Sequence, residues 1–204
     1  MSAAAATTLL RTSTLVVRRP LITATLTPFA DAYYKYHAEL RQDHSRQVVD
    51  EFWTKKGAGG SDARSIEMAV PAPRVTEADK ANDVKSLERK LDEPLYLVVK
   101  NKGKWELPTG AVEGEEALHE AAQRNVVDSL GKNMELWMVG RVPIGLSKVA
   151  AQDNVKTFIH KAHILAGQAK PVDGKGVQDF AWVSKSELPT YLAKETLSDV
   201  ANLL

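Results

Sequence analysis

Carboxylates crowd the stretch GAVEGEEALHEAAQRNVVDSLG, which runs from Gly110 to Gly131 and includes Glu113, Glu115, Glu116, Glu120 and Asp128. Acids three and four residues apart on one helical face can together hold a hard divalent cation, and such an ion neutralises phosphate charge while water attacks. A plainer reading stands beside it. Glutamates in the first turn of a helix complement the partial positive charge of its N-terminus. Arg124 also reads two ways, because Glu120 lies four residues before it, in the favourable order for an exposed helical ion pair.

These residues need a loop and a helix to position them. Gly110 and Gly114 suit the loop, and Leu118, Ala121, Ala122, Val126 and Leu130 recur at helical spacing, so one stripe of the following helix should face a core. Gly131 is a suitable stop. Upstream, Leu95–Val99 is a continuous apolar run typical of a buried strand, and Asn101-Lys102-Gly103 turns it into Lys104–Leu107.

With this context the stretch resembles the Nudix box, the loop–helix signature of enzymes that hydrolyse nucleoside diphosphates linked to another group. Gly110, Glu116, Arg124, Val126 and Gly131 fall in register with that pattern. The acidic cluster does not. Where the resemblance implies three metal-binding glutamates, the chain has Asn125, Asp128 and Ser129, so one carboxylate stands in place of three. The resemblance extends to Trp105-Glu106-Leu107-Pro108 and to Asp179–Leu188, where an aromatic strand leads into a short helix. It implies an α/β fold, a Nudix-like α/β/α sandwich around a mixed sheet over 95–204, with the box degenerate, no catalytic residue, no metal and no cofactor.

Composition bounds the remaining possibilities. The 204 residues are 44% hydrophobic and hold 27 basic against 26 acidic side chains, a balance that argues against wrapping nucleic acid over the whole surface. There is no cysteine, hence no disulfide and no thiolate metal site. No run approaches the ~20 apolar residues of a membrane span. His160 and His163, three apart in a candidate strand, should point to opposite faces and share no metal.

The first residues differ in kind. Arg11, Arg18 and Arg19 stand among serines and threonines, with no acid before Asp31, so 1–28 reads as a mitochondrial presequence or a basic arm. Thr27-Pro28 then looks like a cap and first turn, opening a helix from Phe29 to Lys56 that ends in a glycine linker by Gly60. Tyr33, Tyr34, Tyr36, Phe52 and Trp53 make this helix too aromatic for water, which nominates them as partner-binding residues unless they pack within their own chain. A connector with a helix over Thr76–Leu91 fills 61–94, its start marked by a Thr76/Asp79 capping box. Strands are expected at Glu135–Val142, Val155–Leu165 and Phe180–Val183, and Ser184 and Glu187 should cap a final helix. Lys100, Lys102 and Lys104 on the first hairpin are candidate RNA contacts.

A long aromatic N-terminal helix behind an apparent presequence, with Leu26-Thr27-Pro28-Phe29 followed by Tyr33-Tyr34-Lys35-Tyr36, joined to an emptied box, resembles a component of the mitochondrial large ribosomal subunit that has a Nudix fold. That resemblance implies a structural protein of the central protuberance in the mitochondrial matrix. Its partners would be neighbouring ribosomal proteins, with limited local contacts to ribosomal RNA. A divergent mitochondrial Nudix hydrolase and a nucleotide-binding regulator are the competing readings.

Overall fold

Runs rich in β-branched and aromatic residues build the sheet of the computed structural model, which is described over residues 9–45, 72–147, 155–172 and 174–204. The strands are β1 (Leu9–Arg18), β2 (Leu95–Asn101), β3 (Lys104–Glu106), β4 (Thr109–Ala111), β5 (Met134–Met138), β6 (Gly145–Ser147), β7 (Val155–Gly167) and β8 (Val177–Ser184). The helices are α1 (Pro28–His44), α2 (Glu77–Ala81), α3 (Leu118–Leu130), α4 (Leu188–Tyr191) and α5 (Lys194–Val200). Residues up to Thr23 and from Arg74 onward form one compact unit, and Ala24–Pro73 form another.

The sheet is mixed. β1 runs parallel to β7 from Leu9↔Val155 to Val17↔His163, whereas its pairings with β2 and β4 are antiparallel. β8 lies along the whole of β2, and β5 and β6 share the outer edge of β7. Because side chains alternate along a strand, Val16, Leu97, Ala162 and Trp182 share one face with Val126 and Leu130 of α3. Leu15, Val98, Ile159 and Val183 share the other with Leu188, Leu192 and Val200. Two helical layers on one mixed sheet give the α/β/α sandwich. At its hairpin, Lys102 (φ 48°) and Gly103 (φ 79°) are both left-handed, which suits a two-residue turn between antiparallel strands.

Three expectations need correction. The body does not begin at residue 95, because β1, drawn from the stretch read as an arm or presequence, lies between β2 and β7. Its hydroxyl-bearing residues are compatible with a buried strand. Thr12, Ser13 and Thr14 are buried, and the Thr14 hydroxyl donates to Ala122 O at 3.2 Å. Cleavage at residue 28 would delete this strand. Next, α1 stops at His44, where Ser45 turns extended and its hydroxyl donates to Gln42 O at 2.7 Å. The remainder of the expected helix lies outside the described residues. Finally, the Thr76/Asp79 capping box forms, but α2 ends at Ala81 because Asn82 is left-handed. Beyond it the chain is held irregularly against β8, where Trp182 N donates to Val84 O at 2.7 Å. The C-terminal helix is likewise two short pieces, α4 and α5.

Candidate functional site

β4 delivers Gly110 and Ala111 beside α3, and the acidic loop between them is tied down by one side chain. Arg124 donates from Nη2 to Glu116 Oε1 at 2.6 Å, from Nε to Glu116 Oε2 at 3.1 Å and from Nη2 to Ala111 O at 3.1 Å. Its Nη1 reaches Glu113 at 3.2 Å and Asp128 at 3.6 Å. Glu116 also accepts from Glu113 N at 2.8 Å. The bidentate hydrogen bonds from Arg124 hold the Glu116 carboxyl below its ordinary pKa, and the same contacts raise that of Arg124. The expected Arg124–Glu120 pair gives way to these partners. Glu120 instead reaches back to the Ala117 amide at 3.4 Å, at the start of α3.

The three box positions that depart from the resemblance are each engaged elsewhere. Asn125 Nδ2 donates to Thr12 Oγ1 at 2.9 Å and to Ala111 O at 3.2 Å, which fastens α3 to β1 and β4. Gly110 makes room for this carboxamide, since a Cβ there would overlap it. The Ser129 hydroxyl turns back on its own helix, donating to Asn125 O at 2.7 Å. Asp128 pairs with Arg124. Among the described residues no three His, Asp or Glu side chains gather as a metal site would require. A divalent cation does not fit this donor set: an amide that presents its NH2 group, a hydroxyl consumed by the backbone and one paired carboxylate.

The other sequence candidates scatter. Tyr33, Tyr34 and Tyr36 lie on α1, none of whose residues is buried, and the Tyr33 ring meets Tyr34 edge-on at 5.8 Å. Phe52 and Trp53 lie outside the described residues. Lys102 and Lys104 are exposed at the β2–β3 hairpin, whereas Lys100 faces the field of Asp179, itself paired with Lys85 at 2.8 Å. His160 and His163 are both buried, and burial lowers both pKa values. They hold no common ligand: His163 stacks on Trp137 at 5.8 Å, while neither ring nitrogen of His160 has a well-formed hydrogen bond.

Sequence reasoning missed two arginines that organise the body. Arg18 is buried, donating from Nη2 to Arg89 O at 2.6 Å and to Lys90 O at 2.8 Å. Arg89 is buried too, paired with Glu187 and donating to Asn82 Oδ1 at 2.8 Å. A signal for Arg18 was present, since it closes the apolar run Leu15–Val17, but its partners are more than seventy residues away.

Relatives supply the remaining evidence. The family described as 39S mitochondrial ribosomal protein L46 matches residues 8–61. The Large ribosomal subunit protein mL46 of Neurospora crassa is 30% identical over 95% of this chain and 75% of its own length. The same protein of Schizosaccharomyces pombe is 31% identical over 94% and 82%. The chain belongs to the L46 family of mitochondrial ribosomal proteins. The L46 match takes in β1 and α1, so the segment that resembled a presequence is part of what identifies the family. The Bos taurus relative is 36% identical over 78% of the chain and 57% of its own length. Solved structures similar to this chain include a MutT Nudix hydrolase of Burkholderia pseudomallei, 19% identical over 54% of this chain and 88% of that one, with TM-score 0.43.

Proposed function

We propose that the chain is a structural constituent of the mitochondrial large ribosomal subunit, located in the matrix, whose Nudix-like body supports translation without catalysing a reaction. The carrying observation is the 30–31% identity to two large-subunit mL46 proteins over 94–95% of the chain. The engaged side chains at Asn125, Asp128 and Ser129 support the same reading: this loop–helix joins β1, β4 and α3 where an enzyme would collect metal ligands. Co-sedimentation with large mitochondrial subunits in a density gradient tests it. A protein that stays at the top of the gradient in intact mitochondria would refute the assignment.

Attachment follows from charge and aromaticity. Residues 1–60 carry a formal +3 and residues 61–204 a formal −2, so the body as a whole does not attract a phosphate backbone. Docking is chiefly on neighbouring proteins of the central protuberance through Tyr33, Tyr34 and Tyr36, together with Phe52 and Trp53. Lys100, Lys102 and Lys104 make local contacts to ribosomal RNA. Truncating an aromatic anchor at an interface typically costs ~2 kcal/mol or more, and an exposed rim charge much less. Tyr33→Ala with Tyr36→Ala should therefore release the protein from subunits at moderate salt, and Lys102→Ala with Lys104→Ala should leave it mostly bound. The reverse pattern would make RNA the main attachment.

A further inference from the structure

The outer edge of the sheet carries a second aromatic site, far in sequence from α1. Trp137 on β5 is 48% exposed, a large value for an indole within a strand. The Arg19 guanidinium lies 5.7 Å from its ring centroid, and the His163 ring stacks at 5.8 Å with 28° between planes. Trp137, Arg19, His163, Leu21 and Leu165 line a cavity of about 360 Å³, with Leu21 and Leu165 each 66% exposed. Glu88 is the one carboxylate in the lining. Burial lowers the His163 pKa, and the charges of Arg19 and Lys161 act in the same direction.

We propose that this edge binds an unpaired RNA nucleotide, its base against Trp137 within the cavity and its phosphate held by Arg19. Three features together favour RNA over an apolar protein segment. The lining offers an aromatic plane for a base, a volume within the range of small-ligand pockets, and the Arg19 cation over that plane. An aliphatic side chain would use the leucines but make no use of the Arg19 cation. Arg19 serves twice. It steadies the indole before binding and can turn to a phosphate oxygen afterwards. His163, whose Nδ1 lies 3.4 Å from Val17 O, fixes the other side of the platform.

This inference rests on the ribosomal reading, and two measurements separate the two. The purified full chain is titrated into a fluorescently labelled, single-stranded uridine-rich RNA about a dozen nucleotides long, and anisotropy is recorded. Stacking of one base on an aromatic ring is worth roughly tenfold in affinity. Trp137→Ala should therefore weaken binding about tenfold, Trp137→Phe should restore most of it, and thermal melts of both variants should match the parent. Failure of the parent to bind, or equal binding by Trp137→Ala, overturns the nucleotide site. Gradient co-sedimentation of the parent reports on the ribosomal reading whatever the anisotropy shows. Loss of Trp137→Ala from subunits without loss of RNA affinity would make the edge a protein-docking face, and would also overturn the proposal.

Discussion

Arg18 and Arg124 are the same residue type put to opposite electrostatic use. Arg124 is part-exposed and surrounded by the carboxylates of Glu113, Glu116 and Asp128, so its charge is reinforced. Arg18 is buried among main-chain carbonyls, and desolvation lowers its pKa, with Asp79 and Asp92 opposing the shift. Arg124 organises a loop that closes on itself within a few turns of chain. Arg18 joins β1 to a segment that follows α2 by donating to Arg89 O, Lys90 O and, at 3.4 Å, Leu91 O. The difference teaches where the fold depends on a single side chain: an exposed cluster shares its load with water, whereas the buried Arg18 guanidinium ties three successive carbonyls at once, a load water does not take over.

The largest effect should therefore fall at Arg18. Arg18→Ala removes the side-chain donor from the buried Arg89 carbonyl and from Lys90 O, which keeps the Glu93 amide, and loss of a buried charged hydrogen-bonding group costs about 3 kcal/mol. For a chain of this size that corresponds to a drop of about 10 °C in Tm, followed by circular dichroism. Arg18→Glu should not fold, because a carboxylate would face carbonyl oxygens. If Arg18 were only a targeting charge, both variants would melt like the parent and differ in import alone.

An intermediate effect is expected at the box. Asn125→Glu with Ser129→Glu restores the carboxylates of the resembled pattern but removes the donor that reaches Thr12 and Ala111 O. The expected loss is about 1–2 kcal/mol, or about 5 °C in Tm, and millimolar Mg²⁺ should recover part of it in the double variant but not in the parent. A double variant as stable as the parent without metal would show that Asn125 is not a structural tie. The parent itself should hydrolyse no nucleoside diphosphate derivative above background when Mg²⁺ or Mn²⁺ is added. Turnover abolished by Asp128→Ala would contradict that expectation.

The same contrast explains what could be read from the chain. The helix of the box was legible because its stripe, Leu118, Ala121, Ala122, Val126 and Leu130, is local and periodic, and all but the half-buried Leu118 are buried. The hairpin was legible from Asn101-Lys102-Gly103 for the same reason. β1 was not. Its threonines, serine and arginines have the composition of an import signal, and the strands and helix that give them partners, β2, β4, α3 and β7, all lie far along the chain. The segment after α2 was misread as helix because Val84, Leu87 and Leu91 keep helical spacing. Instead Val84 O accepts from Trp182 N, Leu91 O accepts from Arg18, and Leu87 packs against the core. At the site, the register of Gly110, Glu116 and Arg124 could be read, but not that Arg124 chooses Glu116 over Glu120. Choosing between carboxylates four and eight residues away depends on the fold of the loop, which a helical spacing rule cannot carry.

The smallest effect belongs to that loop and should depend on pH. Arg124→Gln removes the bidentate partner of Glu116, whose folded pKa is depressed first by the Arg124 hydrogen bonds and then by the Glu113 amide. A depressed folded carboxylate contributes stability above its unfolded pKa and loses it as pH falls through the folded value. Near neutral pH the parent should thus be more stable than Arg124→Gln, by less than the difference seen for Arg18→Ala. The gap should begin to narrow as the pH drops below about 4, where the unfolded state takes up the proton, and should close once the pH falls below the depressed folded value of Glu116. Salt should narrow it as well, because Arg124 and its partners are reached by solvent. A gap that stays constant across the acid range would mean that the Ala111 O and packing contacts of Arg124, rather than its charge, hold the loop to α3.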